Sequence, residues 1–162
     1  MHSLAIELKR LGYIVTGSDD AIYEPSKSSL INNDIYPNKL GWFESNIIDD
    51  LDFIILGMHA KSDNSELKLA KQKKIKIYSF PEFIFEYSKN KTRVVIAGSH
   101  GKTTISSMIL HVLNDNGKYA DYLLGAKIEG LTNSVSLSQQ NEFIIIEGVI
   151  GIKPPPVFTT NP

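Results

Sequence analysis

The chain has 162 residues, room for one domain with a full core or two smaller units, and its 42% apolar and 22% charged residues are the balance of a globular protein. A formal net charge of −1 gives no bulk electrostatic reason to bind nucleic acid, and the absence of cysteine excludes disulfides, thiolate metal sites and cysteine nucleophiles. His2, His59, His100 and His111 show no metal-ligand spacing, and Glu7, Lys9 and Arg10 interrupt the apolar start as no signal peptide or membrane span would, so a cytoplasmic location is the default.

Residues 2–11 carry Leu4, Ala5, Leu8 and Leu11 at the spacing of an amphipathic helix, closed by Gly12. Residues 13–17 read as a short strand leading to Ser18, Asp19 and Asp20, and residues 25–30 as a helix start with a serine as cap. An apolar strand of the buried, parallel-sheet kind is expected at 52–56, a helix at 65–73 and a further strand at 75–78. Lys68, Lys71, Lys73, Lys74 and Lys76 are most simply a solvated helix face and its exit. A helix over 79–87 has Pro81 in its first turn, and the polar, basic run at 88–92 is the expected domain boundary.

The second unit opens with a strand at Arg93, followed by a glycine loop and a helix over 105–113. A turn at 114–117, a strand near 119–124, a loop at 125–133 and a buried strand at 143–146 ending at Glu147 complete it. Strands alternating with helices predict an α/β chain with parallel sheets. The expected division is 1–88, 89–148 and a divergent proline-rich tail at 149–162.

The loop is the most informative stretch. Val94, Val95, Ile96 and Ala97 lead into Gly98-Ser99-His100-Gly101-Lys102-Thr103-Thr104 and then into a helix. A strand, a glycine loop and a helix N-terminus bring backbone N–H groups and the positive end of a helix dipole to one place, as an anion requires. Lys102 adds a mobile cation for the outer phosphates of a nucleoside triphosphate, and Thr103 or Thr104 adds a hydroxyl for Mg2+. The spacing is not that of the common phosphate loop, because Ile96 stands where its first glycine would be and Gly98 is the first glycine here.

This short form resembles the ATP loop of the Mur ligases. His100 at its variable position is similar to the L-alanine-adding branch of that family and to the closely related branch that recycles a tripeptide. Three more segments agree with the recycling branch: residues 16–19 with 23–26, residues 57–60 with Asp63 and Asn64, and residues 77–82. The resemblance covers about residues 1–148. It implies an incomplete Rossmann-like amino-terminal domain that holds UDP-N-acetylmuramate, lacking its first strand, followed by the start of a P-loop ATPase-like central domain. It also implies an ATP- and Mg2+-dependent amide ligase of peptidoglycan synthesis or recycling, which activates a muramoyl carboxylate as an acyl phosphate and joins it to L-alanine or a muropeptide.

The implied site residues follow the loop: Gly98, Ser99, His100, Gly101, Lys102, Thr103 and Thr104 around the phosphates of ATP, with Lys102 as the catalytic cation. Glu147, at the carboxyl end of a strand where α/β folds place ligand contacts, resembles the family's Mg2+ ligand alongside Thr103; the other reading is a solvated carboxylate at a strand end. His100 either bonds a phosphate or shapes the loop. Ser18, Asp19, His59 and Asn64 fall at ligand-bearing strand ends of the first domain and are expected at the UDP-sugar, the alternatives being an exposed loop histidine at 59 and an Asx turn at 19.

Two departures from the family stand out. The chain opens inside the first helix, without the strand and glycine turn that precede it in such folds, and the acidic segment expected after Gly148 is replaced by a run containing Pro154, Pro155 and Pro156. A fragment is expected on these grounds, without ligation by itself. A generic P-loop NTPase would want longer glycine spacing and a strand-end aspartate, and a vestigial protein would bind nucleotide without chemistry. A nicotinamide-binding domain fails for want of a G-x-G-x-x-G before the first helix.

Overall fold

Leu4 and Leu8, one turn apart, bury the same face of helix α1 (His2–Arg10) in the computed structural model, which describes residues 1–148 apart from 59, 62, 127, 129 and 132. The helix ends as its sequence anticipates: Gly12 lies at φ +96°, its N–H donates to Lys9 O (2.9 Å), and that of Tyr13 donates to Leu8 O (3.1 Å). This pair of bonds is a Schellman motif, which satisfies carbonyls the helix leaves unpaired. The chain divides into two units, Met1–Phe83 and Ile84–Pro162.

The first unit continues with α2 (Ser26–Asn32), a single 3-10 turn (Glu44–Asn46), β1 (Phe53–Leu56), α3 (Ser65–Gln72) and β2 (Lys76–Ser79), after which α4 (Phe80–Tyr87) begins. β1 and β2 pair in parallel from Phe53 opposite Lys76 to Leu56 opposite Ser79. Leu67 and Ala70 form the buried face of α3, while the lysines at 68, 71, 73, 74 and 76 are exposed as expected. Phe53 stacks on Phe83 at 5.5 Å between centroids, and Tyr13 and Tyr78 meet it edge-on at 6.0 and 5.9 Å.

Three expectations for this unit are corrected. Residues 13–17 form no strand: Ile14 is fully exposed, and β-branched composition cannot make a strand where no ladder partner stands beside it. All four residues of β1 are half-buried rather than buried. No serine caps α2, because Ser26 Oγ is engaged with His2 Nδ1 (2.9 Å); Pro25 is the cap residue and Glu24 Oε2 accepts from the Ser28 N–H (3.2 Å).

The second unit contains β3 (Thr92–Ile96), α5 (Lys102–Asp115), β4 (Asp121–Leu123), β5 (Val135–Ser136) and β6 (Phe143–Glu147). Its sheet order is β3-β6-β4-β5, with β3–β6 and β6–β4 parallel and β4–β5 antiparallel, so the parallel expectation fails only at the last pair. Ile144, Ile145 and Ile146 are buried in succession, as a strand with neighbours on both sides and cover on both faces requires. Leu110 of α5 packs with Ala120, Leu124 and Ile145 to form the core, and the helix starts at Lys102, earlier than the expected 105.

The polar run at 88–92 is built into this unit. Ser88 is wholly buried and donates to Ile84 O (2.7 Å). Lys91, with its side chain 9% exposed, pairs with the wholly buried Asp121 at 3.1 Å and donates to Ser138 O (2.6 Å) and Asn141 O (2.5 Å). Asp121 also accepts from Tyr87 Oη (3.0 Å) and Asn141 Nδ2 (2.8 Å).

Candidate functional site

β3 and β6 run in parallel with Ile96 opposite Glu147, so the glycine loop after β3 and the glutamate that ends β6 emerge at the same edge of the sheet. The Gly148 N–H donates to Ile96 O (2.9 Å) and fixes the two strand ends together. Gly98 lies at φ +154° and Gly101 at φ +75°, backbone conformations that side chains oppose, and Gly101 is the N-cap of α5. α5 starts with no side-chain cap bond and no acid in its first turn, so the positive end of its dipole meets no capping side chain there.

Lys102 Nζ donates to Gly98 O (2.7 Å), so the loop's cation lies over the loop's own backbone. His100 Nδ1 and Ser99 Oγ are 3.2 Å apart on the exposed side. Of the two threonines, Thr104 is exposed and Thr103 donates to Glu147 Oε2 (3.1 Å). Glu147 itself is 7% exposed, which sets aside the solvated carboxylate.

Its two oxygens are treated differently. Oε2 accepts from the Thr103 hydroxyl and from the Gly125 N–H (2.9 Å), whereas Oε1 is buried with no hydrogen-bond partner among the described residues. Leaving a buried acceptor unmatched costs about 1–3 kcal/mol, and more when it is charged. A divalent cation would complete this oxygen. The nearby donor set is oxygen only, from the carboxylate and the lone pairs of the Thr103 hydroxyl, as a hard cation such as Mg2+ prefers.

In the first unit, Ser18 Oγ donates to Glu66 Oε1 (2.8 Å) and accepts from Asn46 Nδ2 (3.0 Å); Glu66 also accepts from Asn46 (2.8 Å) and from the Phe43 N–H (2.9 Å). Asn64 caps α3, accepting from the Leu67 N–H (3.1 Å), and Glu66 stands in the first turn of that same helix. Asp19 is exposed and its carbonyl accepts from the Gly41 N–H (2.8 Å). His59 lies outside the described residues. Ser18 and Asn64 are thus joined through α3, by way of Glu66, which sequence reasoning passed over although an acid one residue after a cap and its serine marks a helix start.

The chain is 30% identical over 146 residues to the UDP-N-acetylmuramate--L-alanine ligase of Syntrophomonas wolfei, a match covering 90% of this chain and 31% of that protein. Its namesake from a Sulfurihydrogenibium species is 33% identical over 147 residues, covering 91% and 32%. Among solved structures, the UDP-N-acetylmuramate:L-alanyl-gamma-D-glutamyl-meso-diaminopimelate ligase from Neisseria meningitides aligns with a TM-score of 0.77 at 27% identity, over 91% of this chain and 48% of that one. Over about nine-tenths of its own length the chain is similar to Mur ligases in sequence and in fold.

A Mur ligase fold is also the likeness to the UDP-N-acetylmuramate-alanine ligase of Thermotoga maritima, with a TM-score of 0.74 at 24% identity over 91% of this chain and 34% of that one. No protein-family profile matches the chain. It spans about a third of the length of the curated Mur ligases it matches. Beside Glu147, sequence reasoning missed Gly125. Its signal was a glycine directly after a strand at the ligand-bearing edge, and a Cβ placed there would stand 3.0 Å from Glu147 Oε2.

Proposed function

We propose that the second unit binds ATP with Mg2+ and that the first carries part of a site for UDP-N-acetylmuramate, as the nucleotide-binding part of a cytoplasmic amide ligase of peptidoglycan synthesis or recycling. The names of the relatives support the substrate, and the observation that carries the nucleotide reading is the unmatched, buried Glu147 Oε1 beside Thr103 and the Lys102 loop. Gly98, Ser99, His100, Gly101 and Thr104 line the phosphates with backbone N–H groups and hydroxyls at the start of α5. Thr103 and Glu147 hold Mg2+, which when bound neutralises phosphate charge. Ser18, Asp19, His59 and Asn64 are the proposed contacts of the UDP-sugar.

In the ligation, a muramoyl carboxylate oxygen bonds to the γ-phosphorus of ATP while the bond to the β-phosphate oxygen breaks, giving an acyl phosphate and ADP. The amine of L-alanine or of a muropeptide then bonds to the acyl carbon, inorganic phosphate leaves, and the amine loses a proton. Lys102 contributes by holding its ammonium against the oxygens on which charge accumulates, a task of positioning and electrostatics rather than covalent chemistry.

Equilibrium binding of ATP to the 162-residue chain, with Mg2+ and with EDTA, tests the proposal. The expected result is at least a tenfold gain in affinity from Mg2+, lost in Glu147→Gln, and weakened binding under both conditions in Lys102→Ala. Equal affinity with and without Mg2+, or no binding, overturns it.

A further inference from the structure

We infer that Gly125 is a positioning residue for the metal site: its backbone N–H and its lack of a side chain together decide which oxygen of Glu147 is offered to the cation. The inference rests on the reading of Glu147 as a Mg2+ ligand. Gly125 N lies 2.9 Å from Glu147 Oε2, and the Cβ of any other residue would lie 3.0 Å from that same oxygen. Glycine matters here through close approach rather than a positive φ: a side chain at this distance would push the carboxylate aside by a few tenths of an ångström. With the Thr103 hydroxyl also on Oε2, that oxygen has two donors, and Oε1 keeps the unshared lone pairs in a buried position.

The segment that bears this N–H is held from the other side. Leu123 is paired with Ile146 of β6 and with Val135 of β5, and the Leu124 N–H donates to Ser134 O (2.9 Å). The short antiparallel strand β5 therefore clamps β4 just before Gly125 and sets the height at which the N–H meets the carboxylate. Outer partners of this kind, which orient a ligand without touching the metal, change metal affinity by about 10–100-fold when lost.

The test is Gly125→Ala in the 162-residue chain, read by ATP affinity with and without Mg2+ and by Mn2+ binding in the presence of ATP from its paramagnetic resonance signal. The expected result is about a tenfold loss of Mn2+ affinity and of the Mg2+-dependent gain, with Mg2+-free ATP affinity unchanged. A second arm guards against a folding defect: in a Glu147→Ala background the added methyl meets no carboxylate, so Gly125→Ala lowers the thermal midpoint in the wild type and not in that background. Retention of the Mg2+-dependent gain in Gly125→Ala while Glu147→Gln loses it overturns the inference alone. So does an equal loss of Mg2+-free binding, or a midpoint loss of the same size in both backgrounds. An unchanged Mg2+ dependence in Glu147→Gln overturns the metal reading and the inference with it.

Discussion

The sheet of the second unit holds two buried carboxylates with opposite surroundings. Asp121, where β4 begins, has a lysine, a tyrosine hydroxyl and an asparagine amide around it. Glu147, where β6 ends, has two donors on one oxygen and none on the other among the described residues. Burying a charge is costly unless it is paired and hydrogen-bonded. The saturated carboxylate is accounted for by the fold alone, whereas the half-matched one keeps capacity for something the fold does not supply. Burial by itself does not mark a site; a buried carboxylate oxygen left without a partner is the stronger sign.

The largest effect is expected at Asp121. Asp121→Ala leaves the Lys91 ammonium buried without its counter-charge and is expected to destabilise the second unit by about 3–5 kcal/mol. Amide exchange at Ile144 and Ile145 reads that unit directly, whereas fluorescence of the single tryptophan, Trp42, reports on the first. Tyr87→Phe keeps the ring that lies 5.3 Å from Lys91 Nζ and removes only the hydroxyl, so a loss of about 1.5–3 kcal/mol by the same readout isolates the hydrogen bond to the charge.

Glu147→Gln is expected to change exchange at those amides by less than about 1 kcal/mol while abolishing the Mg2+-dependent gain in ATP affinity, since an oxygen with no partner loses none. Equal stability losses at Asp121 and Glu147 would dissolve the distinction. Glu82 is an exposed third carboxylate, for reference. It accepts from the Ser79 N–H (2.7 Å), and its own N–H approaches Ser79 Oγ (3.4 Å), a capping box at the start of α4. The two bonds, that from the Ser79 backbone first, hold its pKa below the usual glutamate value. Its contribution is present in full above the ordinary value of about 4.3 and is lost as the pH falls through the lower folded one. Exchange in α4 is expected to quicken on acidification, and Ser79→Ala to cost about 0.5–1 kcal/mol at neutral pH.

What could be read ahead of the structure was what depends on neighbours in the chain. The glycine loop, α5 and the Ile-rich β6 declare themselves through local chemistry, and Glu147 through its place at a strand end. Lys91 and Asp121 gave no such sign: they are far apart in sequence, and a lysine in a polar run looks solvated until its partner is found. Residues 13–17 failed for the converse reason, because their composition suits a strand while pairing belongs to whatever lies alongside. β5, at two residues, is too short to show a period, yet it fixes the segment leading to Gly125.

The place of β3 in its sheet also bears on handling the protein. Among the described residues it pairs only with β6, so one of its two backbone rows lies at the rim of the sheet, and Val95 is 58% exposed. A row of unpaired amides beside an apolar side chain is a template on which a second chain can add a strand. Arg93, whose guanidinium lies 4.7 Å from the ring of Phe85, puts a charge on that rim and acts as its guard. The strand that leads into the glycine loop is therefore also the seam along which concentrated samples are expected to self-associate, and replacing Arg93 with an apolar residue would hasten it.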